Sequence, residues 1–102
     1  MATDPDDTGS LKMDVGRRLA RTRIALGYKQ IDFAERAGLS QPQYNQYERG
    51  TRLLSVQAAR KIRAAYRLPL DWIYEGDPSG LSDVIFRKIR ENDISVNGQS
   101  DL

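Results

Sequence analysis

Apolar residues recur at three- and four-residue intervals along most of this chain, which is the spacing of one face of an α-helix. The first run contains Val15, Leu19 and Leu26, and it ends before Gly27, a residue that readily closes a helix in the left-handed conformation. No segment is a convincing β-strand, in which apolar and polar residues alternate strictly. The pattern therefore predicts an all-α fold.

Two short helices follow the first. The segment from Gln30 to Ala37 predicts a helix of roughly two turns that ends at Gly38. Ser40 can then cap a third helix that runs to Arg49, and Gln43 can complete a capping box with that serine.

The rest of the chain predicts three further helices. A fourth begins after Ser55 and stops at Leu68-Pro69, and a short fifth over residues 70–74 is closed by Gly76. A sixth, amphipathic helix of about ten residues begins after Ser82. Its apolar face contains Leu81, Val84, Ile85 and Ile89.

These elements give a simple domain organisation. We expect a flexible tail over residues 1–13, a folded domain over 14–76, a linker and C-terminal helix over 77–92, and a second flexible tail over 93–102. Large aromatic side chains at helical spacing favour burial over stacking on bases. The expected aromatic core consists of Tyr28, Phe33, Tyr44, Tyr47 and Trp72.

Composition removes most enzyme chemistry. The chain has no cysteine and no histidine, which excludes a disulfide framework, thiolate or imidazole metal ligands, and catalysis by a cysteine nucleophile or a histidine base. We expect no enzymatic activity, no cofactor and no metal. No apolar run approaches the roughly 18 residues of a membrane span. Residues 1–14 are acidic where a signal peptide would be basic, so we expect a cytoplasmic protein without a membrane partner.

The net charge of +2 conceals an uneven distribution. Residues 15–80 carry a net charge of +6, whereas residues 1–14 carry −3 and residues 81–102 carry −1. A basic folded domain attracts polyanions such as nucleic acid. The alternative is a solvated surface that happens to be rich in arginine.

The third predicted helix has an outer face that is dense in side-chain amides. Gln and Asn carry a donor and an acceptor on one flat group, so they can form two hydrogen bonds with an adenine edge. Two short helices joined by a tight turn, with the second exposing such groups, are typical of a helix-turn-helix that reads the major groove. A polar face that is merely solvated is the alternative. The amides are those of Gln41, Gln43, Asn45 and Gln46.

Over residues 15–76 the sequence resembles the phage-repressor, Cro-type or xenobiotic-response-element, family of helix-turn-helix DNA-binding domains. The resemblance implies a compact, five-helix, lambda-repressor-like domain, here with a sixth C-terminal helix. The matching positions are Val15-Gly16-Arg17-Arg18-Leu19, Arg23, Gly27, Gln30-Ile31-Asp32-Phe33-Ala34, Gly38-Leu39-Ser40, Tyr44, Tyr47-Glu48-Arg49-Gly50 and Leu70-Asp71-Trp72-Ile73.

The resemblance also implies roles for individual residues. Gln30 matches the family glutamine that touches a phosphate and braces the first residue of the recognition helix, here Gln41, and Arg23 with Glu48 matches a structural pair. Pro42 has no N–H to offer a base, so its contact is apolar. The implied base-contacting residues are Gln41, Pro42, Gln43, Asn45 and Gln46, and the backbone-contacting ones are Lys29, Gln30, Arg49, Thr51 and Arg52.

Besides Pro42, three positions depart from the family pattern, and one of them is Leu54, which stands where proline is common. Lys29 replaces the usual Ser or Thr cap of the second helix, and Arg67 stands where a helix-ending glycine is usual. These departures affect where the second and fourth helices are expected to begin and end. They do not change the expected fold.

These residues favour a transcriptional regulator, a repressor that binds a near-palindromic operator on double-stranded DNA as a homodimer. It would be encoded by a bacterium or phage and associated with the nucleoid. The sixth helix either dimerises or folds onto its own core. An alternative function is an antitoxin or co-regulator whose main role is to bind a partner protein. The candidate dimer surface consists of Trp72, Tyr74, Leu81, Val84, Ile85 and Ile89.

Overall fold

A computed structural model describes the backbone of residues 7–100 and the side chains of residues 11–94. Within that range the regular structure is helical and contains no strand, which confirms the all-α prediction. No described helix is long and apolar enough to cross a membrane. The elements are α1 (Asp7–Ala25), α2 (Gln30–Arg36), α3 (Gln41–Arg49), α4 (Val56–Tyr66), a π-helical turn (Asp71–Glu75), a 3₁₀ turn (Pro78–Gly80) and α5 (Asp83–Ser100).

Serine side chains fix the starts of three helices. Ser40, Ser55 and Ser82 each accept a hydrogen bond from the backbone N–H three residues later, at 3.2, 3.1 and 3.2 Å. These contacts satisfy N–H groups that have no partner inside the helix. The predicted caps are therefore confirmed. The capping box is only half formed, because the Gln43 side chain instead donates to the Tyr47 hydroxyl at 3.2 Å.

The two ends of the chain contain more helix than the hydrophobic pattern predicts. α1 begins at Asp7, so residues 7–13 of the expected tail are its first turns. Leu11 packs against the core there, which favours extending a helix that is already nucleated. At the other end α5 continues to Ser100, and Asp93 lies 3.5 Å from Arg21 of α1. The remaining tail residues, 1–6 and 101–102, lie outside the described residues.

The core forms where α1 crosses α3 and where the aromatic side chains meet. Of the expected aromatic core, four side chains are buried and Tyr28 packs against them. The rings of Phe33 and Tyr66 stack at 4.1 Å, which joins α2 to α4. The Trp72 indole N–H donates to the Thr22 hydroxyl at 3.1 Å, so this buried threonine is paired, whereas the buried Tyr44 hydroxyl has no hydrogen-bond partner among the described residues.

Gly16 sets the distance between α1 and α3. A Cβ atom at this position would lie 2.5 Å from the Tyr47 carbonyl oxygen and 2.6 Å from that of Glu48. Those separations are shorter than van der Waals contact, so only glycine lets the two helices approach this closely. The position of α3 therefore depends on a missing side chain in α1.

Arg67 ends α4 in a conformation that normally favours glycine. Its φ and ψ are 56° and 40°, in the left-handed region, and its N–H donates to the Arg63 carbonyl at 2.7 Å. A non-glycine residue costs about 1–2 kcal/mol there. The helix nevertheless ends at this position, and the Arg67 side chain is exposed.

The Gly16→Ala substitution should destabilise the protein. Alanine is the better helix former by about 1 kcal/mol, but overpacking against two backbone carbonyls costs about 1–3 kcal/mol and cannot be relieved by a side-chain rotation. We expect a net loss in the free energy of unfolding, measured by urea denaturation followed by circular dichroism. The matched control is Arg17→Ala, an exposed neighbour, which should change that free energy by less than about 0.5 kcal/mol. Equal stability of Gly16→Ala and wild type would contradict the packing argument.

Candidate nucleic-acid interface

α2 and α3 form a compact pair joined by residues 37–40. Gly38 turns the chain at φ 76°, and the Leu39 N–H donates back to the Ala34 carbonyl at 2.9 Å. The Phe33 and Tyr44 rings, one from each helix, pack at 5.3 Å. The two helices are thus held at a fixed angle by a short turn and an aromatic contact.

α3 presents its polar side chains outward. Tyr44 and Tyr47 are buried, which leaves the opposite side of the helix open. Pro42 and Gln46 are exposed, whereas the other predicted base-contacting residues, Gln41, Gln43 and Asn45, are partly exposed. The structure therefore brings all five onto the accessible surface of one helix.

A chain of hydrogen bonds connects the start of α3 to α1. The Gln41 amide nitrogen donates to Gln30 Oε1 at 2.6 Å, and Gln30 Nε2 donates to Glu48 Oε1 at 3.2 Å. Arg23 donates two hydrogen bonds to the same carboxylate, at 2.7 and 3.2 Å. The sequence predicted the amide pair and the ion pair separately. The structure joins them through Glu48.

The sequence contains a signal for this connection, although the predicted pairs did not include it. Gln41 and Glu48 are seven residues apart, which places them on the same face of α3 two turns apart. One side chain lying along that face can therefore reach both. Gln30 occupies this position because α2 packs beside α3.

The Arg23–Glu48 pair is mostly removed from solvent. The two side chains are 15% and 8% exposed, and Arg23 also donates to the Tyr28 carbonyl at 2.9 Å. Hydrogen bonding to Glu48 raises the pKa of Arg23 above its ordinary value. Burial raises the pKa of the neighbouring Tyr44 hydroxyl, and the Glu48 charge raises it further. The Arg23 guanidinium therefore stays protonated beside a neutral phenol.

Other contacts hold the middle and end of α3. The Gln43 amide donates to the Tyr47 hydroxyl at 3.2 Å. The Thr51 hydroxyl donates to the Gln46 carbonyl at 3.2 Å, and Arg52 Nη1 lies 3.5 Å from Gln46 Oε1. The loop after α3 is thereby tied to the last turns of the helix.

The predicted backbone-contacting residues surround α3. Lys29, Arg49, Thr51 and Arg52 are exposed, and Gln30 is half-buried. Lys29 stands at the start of α2 without a side-chain capping bond, as its departure from the family pattern implied. Lys29 thus precedes α2, while Arg49 ends α3 and Arg52 follows it in the next loop.

Most of the candidate dimer surface lies in the core of its own chain. Trp72, Leu81 and Ile89 are buried, Ile85 is partly buried, and the half-buried Tyr74 donates its hydroxyl to the Leu54 carbonyl at 2.8 Å. α5 packs against α1. The structure thus corresponds to the second of the two arrangements expected for this helix.

Val84 does not share the inward face of α5. Ile85 and Ile89 lie four residues apart on one face of α5 and are partly buried and buried, whereas Val84, one position before Ile85, lies about 100° around the helix and is 57% exposed. Phe86 and Ile94, which the predicted apolar face did not include, are also exposed on α5. The outer face of α5 therefore carries apolar side chains of its own.

Comparisons with known proteins agree with this geometry. A sequence profile of the helix-turn-helix family matches residues 19–73. A protein of Rhodospirillum rubrum described as an uncharacterized transcriptional regulator in the ATPase CF(0) region is 35% identical over 68 residues, and the match covers 63% of this chain and 63% of that protein's length. No solved structure matches.

Because the profile covers more than half of its length, this chain belongs to the helix-turn-helix family. The resemblance to Cro-type domains and the lambda-repressor-like all-α fold are thereby confirmed. In helix-turn-helix domains the second helix of the motif enters the major groove of DNA, and α3 is the second helix of the α2–α3 pair.

Removing Glu48 should destabilise the fold far more than removing Gln30. Glu48→Ala leaves the Arg23 guanidinium buried without a counter-charge, which costs about 3–5 kcal/mol. Gln30→Ala removes two hydrogen bonds at a half-exposed site and should cost about 1–2 kcal/mol. Urea denaturation measures both values. The matched control is Glu35→Ala, an exposed acid on α2, expected within about 0.5 kcal/mol of wild type. Equal losses for Glu48→Ala and Glu35→Ala would contradict a structural role for the pair.

Proposed function

We propose that this protein is a sequence-specific transcriptional regulator that reads double-stranded DNA with the side-chain amides of α3. The observation that carries the proposal is the hydrogen-bonded path from Arg23 to Gln41, because it ends at the exposed start of the helix. A side chain that is held in place before binding loses less conformational freedom on contact.

The polarity of the path determines what Gln41 offers to a base. The Glu48 carboxylate only accepts hydrogen bonds, so the nitrogen of Gln30 faces it and the oxygen of Gln30 faces Gln41. Gln41 therefore donates one side-chain N–H to Gln30, and its other side-chain N–H and its side-chain carbonyl oxygen are left for a base. One donor and one acceptor match N7 and N6 of adenine.

The remaining side chains fit a division between reading and anchoring. Gln46 and Pro42 are exposed on α3, and Pro42 offers only an apolar surface, which suits a thymine methyl group. The cations at Lys29, Arg49 and Arg52 suit phosphate contacts that fix the register without reading sequence. Binding should therefore weaken as salt increases.

We further propose that the regulator acts as a repressor, binding a near-palindromic operator as a homodimer through the outer face of α5. An open cavity of about 330 Å³ on this face is lined by the exposed Phe86 and Ile94 together with acids and bases. A two-fold interface must complement itself, so a patch that carries both charge signs suits a second copy. Its charged residues are Asp83, Arg87, Arg90 and Glu91.

Two observations support a regulator in particular. The Rhodospirillum rubrum relative is described as a transcriptional regulator, and its similarity covers 68 residues. The family match spans α2 and α3 together with the helices that hold them. A bacterial or phage-encoded protein acting at the nucleoid in the cytoplasm is consistent with both.

Selection of binding sites from a random duplex pool tests base reading. We expect an enriched, roughly palindromic site, and expect Gln41→Ala and Gln46→Ala each to weaken its binding by about 1–3 kcal/mol without weakening binding to scrambled DNA. Adding Gln30→Ala to Gln41→Ala should weaken operator binding little further, because Gln30 affects binding by positioning the Gln41 side chain. The matched control is Asn92→Ala, an amide on α5, which should bind as wild type. A pool without enrichment would refute the proposal.

Sedimentation tests the α5 interface. Phe86→Glu should shift the protein toward monomer, and should weaken binding to the full operator while half-site binding is unchanged, because a charge in an apolar interface is poorly solvated. The matched control is Ile24→Glu on α1, where the native side chain is 51% exposed. Dimers that persist in Phe86→Glu, or that fail equally in both variants, would place the interface elsewhere.

A further inference from the structure

The exposed face of α4 is strongly basic and takes no part in the interactions described so far. Arg60, Lys61, Arg63 and Arg67 fall within eight residues and are all exposed. Among the described side chains, the ion pairs involve other residues, so none of these four has a carboxylate within 4.0 Å. The face therefore has excess positive charge that the described part of the chain does not neutralise.

These cations line two open, shallow depressions along α4. An open groove of about 760 Å³ runs along α4, and a second of about 420 Å³ adjoins it. The two share Arg63 and Ala64 and are therefore adjacent, and we call them together the α4 groove. The first section is lined by Gln57, Arg60, Lys61, Arg63, Ala64 and Leu70. The second adds Arg67, Pro69 and Gly80.

The end of α4 creates the opposite wall. Arg67 turns the chain in the left-handed conformation, and the buried Leu68 anchors the segment that follows. Pro69 and Leu70 then lie across from the exposed side of the helix. The α4 groove thus has cationic rims and a partly apolar lining.

Two features separate this groove from the α2–α3 surface. None of its lining residues comes from α2, from α3 or from the loop between α3 and α4. No acidic residue lines it in the described part of the chain. A ligand could therefore occupy the groove while α3 lies in DNA.

We propose that the α4 groove binds an acidic polypeptide segment of a partner protein. Guanidinium groups form paired hydrogen bonds with Asp and Glu carboxylates, and three arginines line the α4 groove. The apolar lining at Ala64, Pro69 and Leu70 accommodates an aliphatic side chain between those acids. Phosphates of a duplex need only an accessible basic surface, so the apolar lining beside the arginines favours a peptide over DNA.

Selection from a random peptide library against the full-length protein tests this inference. The selection includes a counter-selection on Arg60→Gln/Arg63→Gln, so that peptides bound elsewhere are removed. We expect the enriched peptides to share Asp or Glu residues flanking an aliphatic residue. A library that yields no acidic enrichment would overturn the proposal.

Fluorescence anisotropy with the most enriched peptide then measures the contribution of the groove. Arg60→Gln/Arg63→Gln should raise its dissociation constant about tenfold or more, because two charge-assisted contacts are lost. Arg17→Gln/Lys88→Gln, which removes the same net charge from exposed sites on α1 and α5, should change it less than about twofold. The same peptide with Asn and Gln in place of its acids should not bind.

Two further results would also overturn the inference. Equal weakening by both double variants would show that the peptide responds to net charge and not to the groove. Operator binding that falls as much as peptide binding in Arg60→Gln/Arg63→Gln would make the groove a flanking DNA contact. Thermal denaturation of both variants confirms that each retains the wild-type fold, since all four side chains are exposed.

Discussion

The Glu48 carboxylate is the group on which the organisation of this domain depends. It neutralises Arg23 from α1, orients Gln30 from α2, and belongs to α3 itself. Because a carboxylate accepts hydrogen bonds and donates none, it gives the whole path a direction that ends at Gln41. One acidic side chain thus links the relative placement of three helices to the chemistry offered at the surface.

Close packing supports this electrostatic link. Gly16 allows α1 to approach the backbone of α3 at Tyr47 and Glu48, which brings Arg23 within hydrogen-bonding distance of the carboxylate. The aromatic stack between Phe33 and Tyr66 fixes α2, the helix that carries Gln30, against α4. The buried ion pair is worth retaining in this setting because it specifies orientation, even where an apolar pair could provide similar stability.

The sequence predicted those features that depend on local chemistry. Serine caps, closing glycines and the apolar spacing of each helix are properties of short segments, and Ser40, Ser55 and Ser82 were placed correctly. Features that depend on distant packing were harder to predict. The early start of α1 depends on Leu11 meeting the core, and the outward turn of Val84 depends on where α1 lies against α5. In the candidate site, the positions came from the resemblance, whereas the junction at Glu48 required three helices in place.

The hydrogen-bonded path to Gln41 also separates the residues of α3 into two groups that differ in how freely they can be substituted during evolution. A substitution at Gln30 or Glu48 changes both the stability of the fold and the position of the Gln41 side chain. One property therefore cannot change at these positions without the other. Pro42 and Gln46 are exposed, and their side chains take no part in this path. Relatives that come to recognise different DNA sites should therefore differ first at Pro42 and Gln46. Gln41 should change only together with Gln30 and Glu48.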